Sequence, residues 1–426
     1  MSTEKLAKTA ARNSAEKGKG IIGRLTNRLM KLEFRGTKVF IDGGFDVVYL
    51  ILVITLLTIG LVMMFSASYI NAKYRKNDPY AYITKQFIVA VVGVIAMFII
   101  SKINPEIFKK LTLPAAGVSI FLLILVLFVH TKVNDENTIK RWLPPIGPIS
   151  IQPSDVGKLG LIMTLAYTLE KYKRKLEKIW WLPILFVAGI AFVSLLVFLE
   201  SHLSGTILML GIGILMLILG GLDKRWILFG FILGAVAFAA FWLLKDHILS
   251  PYQLQRISSF SQKDYTDIGA RYQTNQSLFA LGSGGIWGLG LGQSRQKFMY
   301  LPEPQNDFIF AIVGEELGFI RCVLILLTFA ALIFWGFLIA EKKAKSSYER
   351  LLVLGINIQL ALQIILNLLV VTDLMPNTGI SLPFFSYGGT ALLLQLVEMG
   401  MVLSVSRTGE RHPEKKEKEN KGDTNA

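Results

Sequence analysis

Seven stretches of this sequence carry no Asp, Glu, Lys or Arg: 47–72, 111–129, 179–199, 203–222, 226–244, 322–340 and 351–372. Each is close to or above the ~20 residues with which an α-helix crosses a bilayer. Lipid offers no partner to backbone N–H and C=O groups, so runs of this kind satisfy their backbone internally, as helices. A membrane barrel would alternate apolar and polar residues instead. The chain is therefore expected to be an all-α polytopic membrane protein.

Three weaker spans complete the reading. Residues 86–101 are apolar but short, 152–169 carry Asp155 and Lys158 near their start, and 388–405 carry Glu398. Counting them predicts about ten transmembrane helices with both termini on one side. With residues 1–44 placed in the cytoplasm, 30 of the 45 Lys and Arg fall on inner segments and 12 on outer ones, the asymmetry that positive-inside insertion produces. The net charge of +15 is thus mostly a topology signal. Its spread over many short loops argues against a nucleic-acid surface. The expected organisation is a basic cytoplasmic segment (1–44), a ten-helix membrane domain (45–406) and a charged cytoplasmic tail (407–426). The segment 21–34 mixes apolar and basic residues at helical spacing, which suits either a helix lying on anionic lipid or a solvated tail. The one cysteine, Cys322, excludes an intrachain disulfide and a cysteine metal cluster.

One large outer loop, 245–306, falls between the seventh and eighth spans, and long loops in compact proteins tend to be functional. It contains ALGSGGIWGLGLG at 280–292, a segment where glycine permits sharp turns and close backbone approach. It fits neither a dinucleotide fingerprint nor a phosphate-binding P-loop. After Pro302 and Pro304, Asn306 is expected to cap the eighth span and Asp307 to open it from the outer face. Asp307 then reads as a helix-dipole partner or as a carboxylate held for chemistry at the membrane boundary. Asp307, Ala311, Gly314 and Gly318 share one predicted helix face, with Glu315 and Glu316 deeper in the bilayer. Two other outer clusters stand out: Lys140, Arg141 and Trp142 with Gln152, Ser154, Asp155 and Lys158, and the turn Glu200 to Thr206 with His202. Cations at an outer interface can hold a pyrophosphate, although Arg141 beside Trp142 is also what an interfacial anchor looks like. No H-E-x-x-H or C-x-x-C occurs, so no protein-only metal cage is visible.

Residues 371–407, with the core TG-x-x-LP-x-x-SYGG at 378–389, resemble the C-terminal motif of the FtsW/RodA/SpoVE (SEDS) family. Residues 275–319, the KRW and QPS-x-x-x-K elements at 140–158 and FSAS at 65–68 agree with that family as well. The wording LGLGQSRQKF…LPEPQ is most like its division–sporulation branch. Two departures are Asn306, where the family usually has Thr, and ESHLSGT at 200–206 in place of a QPDLGT-like element. The resemblance implies a bacterial cytoplasmic-membrane glycosyltransferase that polymerises lipid II, partnered by a class B penicillin-binding protein. It maps the essential acid onto Asp307, which fits a general base by its position. Arg141, Lys158, Arg295 and Lys297 are the candidates for pyrophosphate and sugar contacts, and Ser386 and Gly388, within the C-terminal motif, are further substrate-binding candidates. A divalent cation, Mg²⁺ or Mn²⁺, is compatible with the phosphate chemistry. A lipid II flippase and a scaffold recruiting the cross-linking synthase are the rival readings. A single-pass partner is expected to dock on an outer, lipid-facing groove near 351–372 and the loop after it.

Overall fold

The computed structural model describes residues 32–41, 43–129, 141–144, 150–176, 179–200, 202–223, 225–226, 271–377 and 379–408, with isolated positions at 230, 243, 254 and 260. A two-stranded hairpin, β1 (Glu33–Phe34) and β2 (Thr37–Lys38), precedes the helices. These are α1 (Val47–Lys76), α2 (Ala81–Ile100), α3 (Pro105–Phe128), α4 (Pro153–Leu176), α5 (Leu182–Leu199), α6 (Leu203–Leu219), α7 (Tyr272–Gly284), α8 (Ile309–Lys342), α9 (Ser347–Val371) and α10 (Gly389–Thr408).

Nine of the ten expected spans are present as helices among the described residues. The seventh (226–244), most of the loop after it, Lys140, the segment 1–31 and the tail beyond 408 lie outside them. Seven helices, α1, α2, α3, α5, α8, α9 and α10, are long and apolar enough to cross a membrane. The weak span at 86–101 is a full helix from Ala81, because Lys85 sits within its first turns without breaking it. In α3 the helix starts at Pro105, before the apolar run, with Asn104 Oδ1 accepting the Glu106 N–H as its cap.

The helices whose apolar surface is continuous all round lie at the centre, as expected of a buried element. α9 contributes seventeen buried residues, Tyr348 to Val371, and packs against α4, α6 and α8. α10 lies along α2, where Gly93 and Gly400 allow close approach: a Cβ on Gly400 would stand 2.8 Å from the Met97 carbonyl. Helices at the rim keep apolar faces toward lipid, as Phe121, Leu185 and Phe319 do.

The outer loop is ordered where it is described. It contains α7, and the glycine-rich segment after α7 folds onto a break in α8. Gly318 leaves helical geometry there (φ 78°, ψ 176°), so the predicted face through Asp307, Ala311, Gly314 and Gly318 does not run on as one helix. The carbonyls freed by that break are taken up across the loop. Leu289 N–H donates to the Glu315 carbonyl (3.0 Å), Gly290 N–H to the Glu316 carbonyl (2.9 Å), and Phe319 N–H to the Gly285 carbonyl (2.9 Å). Glycine is required at the contact: a Cβ on Gly284 would lie 2.1 Å from the Gly314 carbonyl, and one on Gly288 2.3 Å from that of Glu316.

Candidate active site

The turn segment 305–307 is held from three sides. Asn71 of α1 donates its Nδ2 to Gln305 Oε1 (3.2 Å). Asn367 of α9 donates its Nδ2 to the carbonyls of Asp307 (2.8 Å) and Ile380 (2.7 Å). Ser386 donates its hydroxyl to the Asn306 carbonyl (2.8 Å) and accepts the Leu382 N–H (2.8 Å), while Tyr387 N–H donates to the Gln305 carbonyl (2.8 Å). Gln86 of α2 fixes that turn, donating Nε2 to the Ser386 carbonyl (3.2 Å) and accepting the Gly388 N–H on Oε1 (3.2 Å).

This clamping corrects the expected cap. With the carbonyls of Asn306 and Asp307 bonded outward, the chain turns without entering the helix and α8 starts at Ile309, with Phe308 at the cap and no side-chain cap bond. The Asn306 amide donates instead to Glu303 Oε2 (2.8 Å), and the first turn of α8 contains no acid. Asp307 stands one residue before the cap, outside the first turn of α8.

The half-buried Asp307 lines a cavity of about 310 Å³ together with Arg141, Trp142, Asp155, Lys158, His202 and Gly388. Pro153 begins α4 at the position where proline is best tolerated, and the first turns then aim Asp155 and Lys158 at the cavity as an ion pair (2.8 Å). The short turn between α5 and α6 brings in His202, whose Nδ1 lies 3.4 Å from both Ser154 Oγ and Gln152 Nε2. Burial, then Arg141 and Lys158, hold the His202 imidazole well below its usual pKa. Its neighbour Glu200 is fully buried, and its carboxyl has no hydrogen bond among the described residues. Burial pushes Glu200 up to about 9, against the pull of Arg141, with Asp155 adding to the rise. In both residues of the turn burial disfavours the charged form. Below the cavity, a crevice of about 20 Å³ runs past Asp155 and Lys158 to Gln359 and Glu398, whose side chains bond each other at 2.8–2.9 Å.

Of the predicted site residues, the structure brings Asp307, Arg141, Lys158 and Gly388 to one cavity. Ser386 lies beside the crevice with its hydroxyl committed to backbone. Arg295 lines a separate open concavity with Gln293, Phe298 and Tyr300. Lys297 is turned inward: its Nζ donates to Glu316 Oε1 (2.9 Å), Ser66 Oγ (3.2 Å) and the Gly292 carbonyl (2.6 Å), and it is 4% exposed. It belongs to a clasp in which Glu315 and Glu316 gather the glycine-rich loop. Glu316 Oε2 accepts the Gly292 N–H (2.9 Å), and Glu315 accepts the N–H groups of Arg295 (3.0 Å) and Gln296 (3.3 Å) and the Ser294 hydroxyl (2.5 Å).

The positioning amides Gln86, Asn71 and Asn367 were not singled out from the sequence, where only charges within spans were weighed. An amide in an apolar helix is the same kind of marker at lower cost. Among the described residues there is no group of three or more His, Cys, Asp or Glu able to hold a metal.

A family model described as cell cycle protein, of the FtsW/RodA/SpoVE type, matches residues 47–411. Stage V sporulation protein E of Bacillus subtilis is 39% identical over 365 residues, covering 85% of this chain and 97% of that protein. The probable peptidoglycan glycosyltransferase FtsW of Geobacter sp. strain M18 is 35% identical over 367 residues, again covering 85% and 97%. Among solved structures, a chain from a study of how a peptidoglycan synthase complex coordinates polymerization and crosslinking superimposes with TM-score 0.67 and 26% identity, covering 86% of this chain and 99% of that one. The rod shape determining protein RodA of Thermus thermophilus does so with TM-score 0.61 and 27% identity, covering 86% and 98%. This chain is a multi-pass bacterial inner-membrane protein and belongs to the FtsW/RodA/SpoVE family.

Proposed function

We propose that the chain is a peptidoglycan glycosyltransferase that polymerises lipid II into glycan strands in cell division or sporulation. The observation that carries this reading is the cavity in which Asp307, outside any helix cap, meets Arg141 and Lys158. Asp307 takes the proton from the 4-hydroxyl of the acceptor GlcNAc. That oxygen bonds to the anomeric carbon of the donor MurNAc as the bond to the pyrophosphate breaks, and the electron pair leaves with undecaprenyl pyrophosphate. A positioned base of this kind contributes ~10²–10⁴-fold. Arg141 and Lys158 offset the charge that develops on the leaving group.

A Mg²⁺ or Mn²⁺ ion, if the reaction uses one, would find Asp307 and Asp155 in the cavity lining and would offset charge on the substrate's phosphates. Arg295, outside this cavity, is proposed to touch the glycan or peptide over the loop surface. Lys297 serves the clasp, and Ser386 positions the backbone at Asn306. A flippase would need a way through the membrane for the sugar headgroup. The crevice below the cavity has room for roughly one water, which favours chemistry at the cavity over passage through it.

A class B penicillin-binding protein is the proposed partner, but α9 is a poor dock for its membrane anchor. Ile365 is the exposed large apolar side chain on that buried helix, whereas α8 presents Phe319, Val323, Leu324, Leu327 and Phe334.

The test is glycan formation by the purified chain from lipid II in detergent, resolved on a gel. Strands that appear without a partner support the polymerase. Their absence, alongside lipid II transport in vesicles, would return the flippase.

A further inference from the structure

Among the described residues, the lining of the cavity carries two formal cations, Arg141 and Lys158, and two formal anions, Asp155 and Asp307. The net charge of these four is zero, so it does not by itself retain a diphosphate. Retention then falls to uncharged donors directed at the anion, which cost little desolvation and discriminate by geometry.

His202 has the environment of such a donor. It lines the cavity yet is 8% exposed. Gln152 Nε2 donates to Ser154 Oγ (3.1 Å), which leaves the serine proton free to turn toward His202 Nδ1 at 3.4 Å. Gln152 Nε2, itself only a donor, lies at the same distance from Nδ1. With Gln152 Nε2 and the Ser154 hydroxyl as the donors, Nδ1 is the acceptor and the ring proton is assigned to Nε2. The ring is seated over Gly205, where a Cβ would come within 2.6 Å of Nδ1. The ionisable groups around it are Arg141 from the preceding loop, Asp155 and Lys158 of α4 and Glu200 of its own turn, with Asp307 across the cavity.

We infer that His202 is a binding residue for the lipid-linked diphosphate, its Nε2–H donating to a phosphate oxygen beside Arg141 and Lys158. The inference rests on the polymerase reading for the identity of the anion and deepens it. It makes the turn between α5 and α6, rather than the loop cations Arg295 and Lys297, the third element of the diphosphate site.

The test measures binding of a polyprenyl diphosphate to the full-length protein in detergent, which needs no turnover. His202→Gln keeps an amide N–H near the position of Nε2; His202→Phe keeps the volume and removes the donor. Thermal unfolding of each variant reports folding separately. His202→Phe should weaken diphosphate binding about tenfold and raise the KM for lipid II more than it lowers kcat, while His202→Gln stays within about threefold of wild type. His202→Asp, which tips the lining to net negative charge, should be weaker than His202→Phe, and more so at low salt. Folded His202→Phe that binds the diphosphate as wild type does would overturn the inference. So would His202→Gln that is as impaired as His202→Phe at equal thermal stability. If wild type forms no glycan strands, the polymerase reading fails, while the binding series still decides the role of His202.

Discussion

Two acidic sites flank the start of α8, and they differ in what surrounds the carboxylates. Glu315 and Glu316 are fully buried, and their oxygens are occupied by backbone N–H groups, the hydroxyls of Ser66, Ser283 and Ser294, and Lys297. Asp307 is half-buried on a cavity of about 310 Å³ shared with cations. The first arrangement has no room for a substrate and satisfies the requirement that buried charge be paired and bonded. The second leaves space next to the acid. The difference separates a device that shapes the loop from one that acts on a ligand, although both lie within ten residues on one strand of sequence.

The contrast can be broken most strongly at Asp307. Asp307→Asn keeps the size of the side chain and removes its basicity, so polymerisation should fall by about 10²–10⁴-fold with the unfolding temperature nearly unchanged. The outcome is read as strand formation against thermal unfolding. Glu316→Gln should do the reverse in kind. It leaves the Lys297 ammonium buried without its counter-charge, a loss of about 3–5 kcal/mol of stability, visible as a lowered melting temperature and poorer recovery from the membrane.

A milder probe of the clasp is Gly288→Ala. The new Cβ meets the Glu316 carbonyl at 2.3 Å, and the backbone has φ +82°, so about 1–3 kcal/mol should be lost to overpacking. Gly282→Ala, in open space on α7, should be neutral or slightly stabilising.

The smallest effect expected belongs to Glu200→Gln, and it depends on pH. Glu200 has a folded pKa of about 9, raised above its unfolded value. The stability it contributes is therefore complete below the unfolded pKa and is lost as pH rises through the folded one. The melting temperature of wild type should fall between about pH 5 and pH 9 more steeply than that of Glu200→Gln, with the variant at least as stable at pH 8. Parallel curves would show that Glu200 is not held protonated.

The membrane architecture was legible in the sequence because uncharged runs have one physical solution in lipid. The weak spans were legible too, but their ends were not. Lys85, Lys109 and Lys110 mark where charge begins, whereas α2 and α3 carry on through it. Asp307, Arg141 and Lys158, candidates by position and motif, line one cavity. Arg295 and Lys297 were grouped with them because they are near Asp307 in sequence. The loop carries both away, since its path is set by the break at Gly318 and by carboxylates some twenty residues downstream. No periodicity or composition encodes that pairing. The expected Asn306 cap failed for a related reason: its carbonyl and that of Asp307 are taken by Ser386 and Asn367, each far away along the chain.

The most direct measurement compares Asp307→Asn and Glu316→Gln in one lipid II polymerisation assay, with activity normalised to folded protein and followed across a Mg²⁺ and Mn²⁺ titration. Asp307→Asn should remain folded and lose activity per folded molecule by at least about a hundredfold at every metal concentration. Glu316→Gln should lose folded protein and retain most of its activity per folded molecule. Rescue of Asp307→Asn by metal would make the acid a cation ligand rather than a base. Near-normal activity per folded molecule in Asp307→Asn would contradict the account.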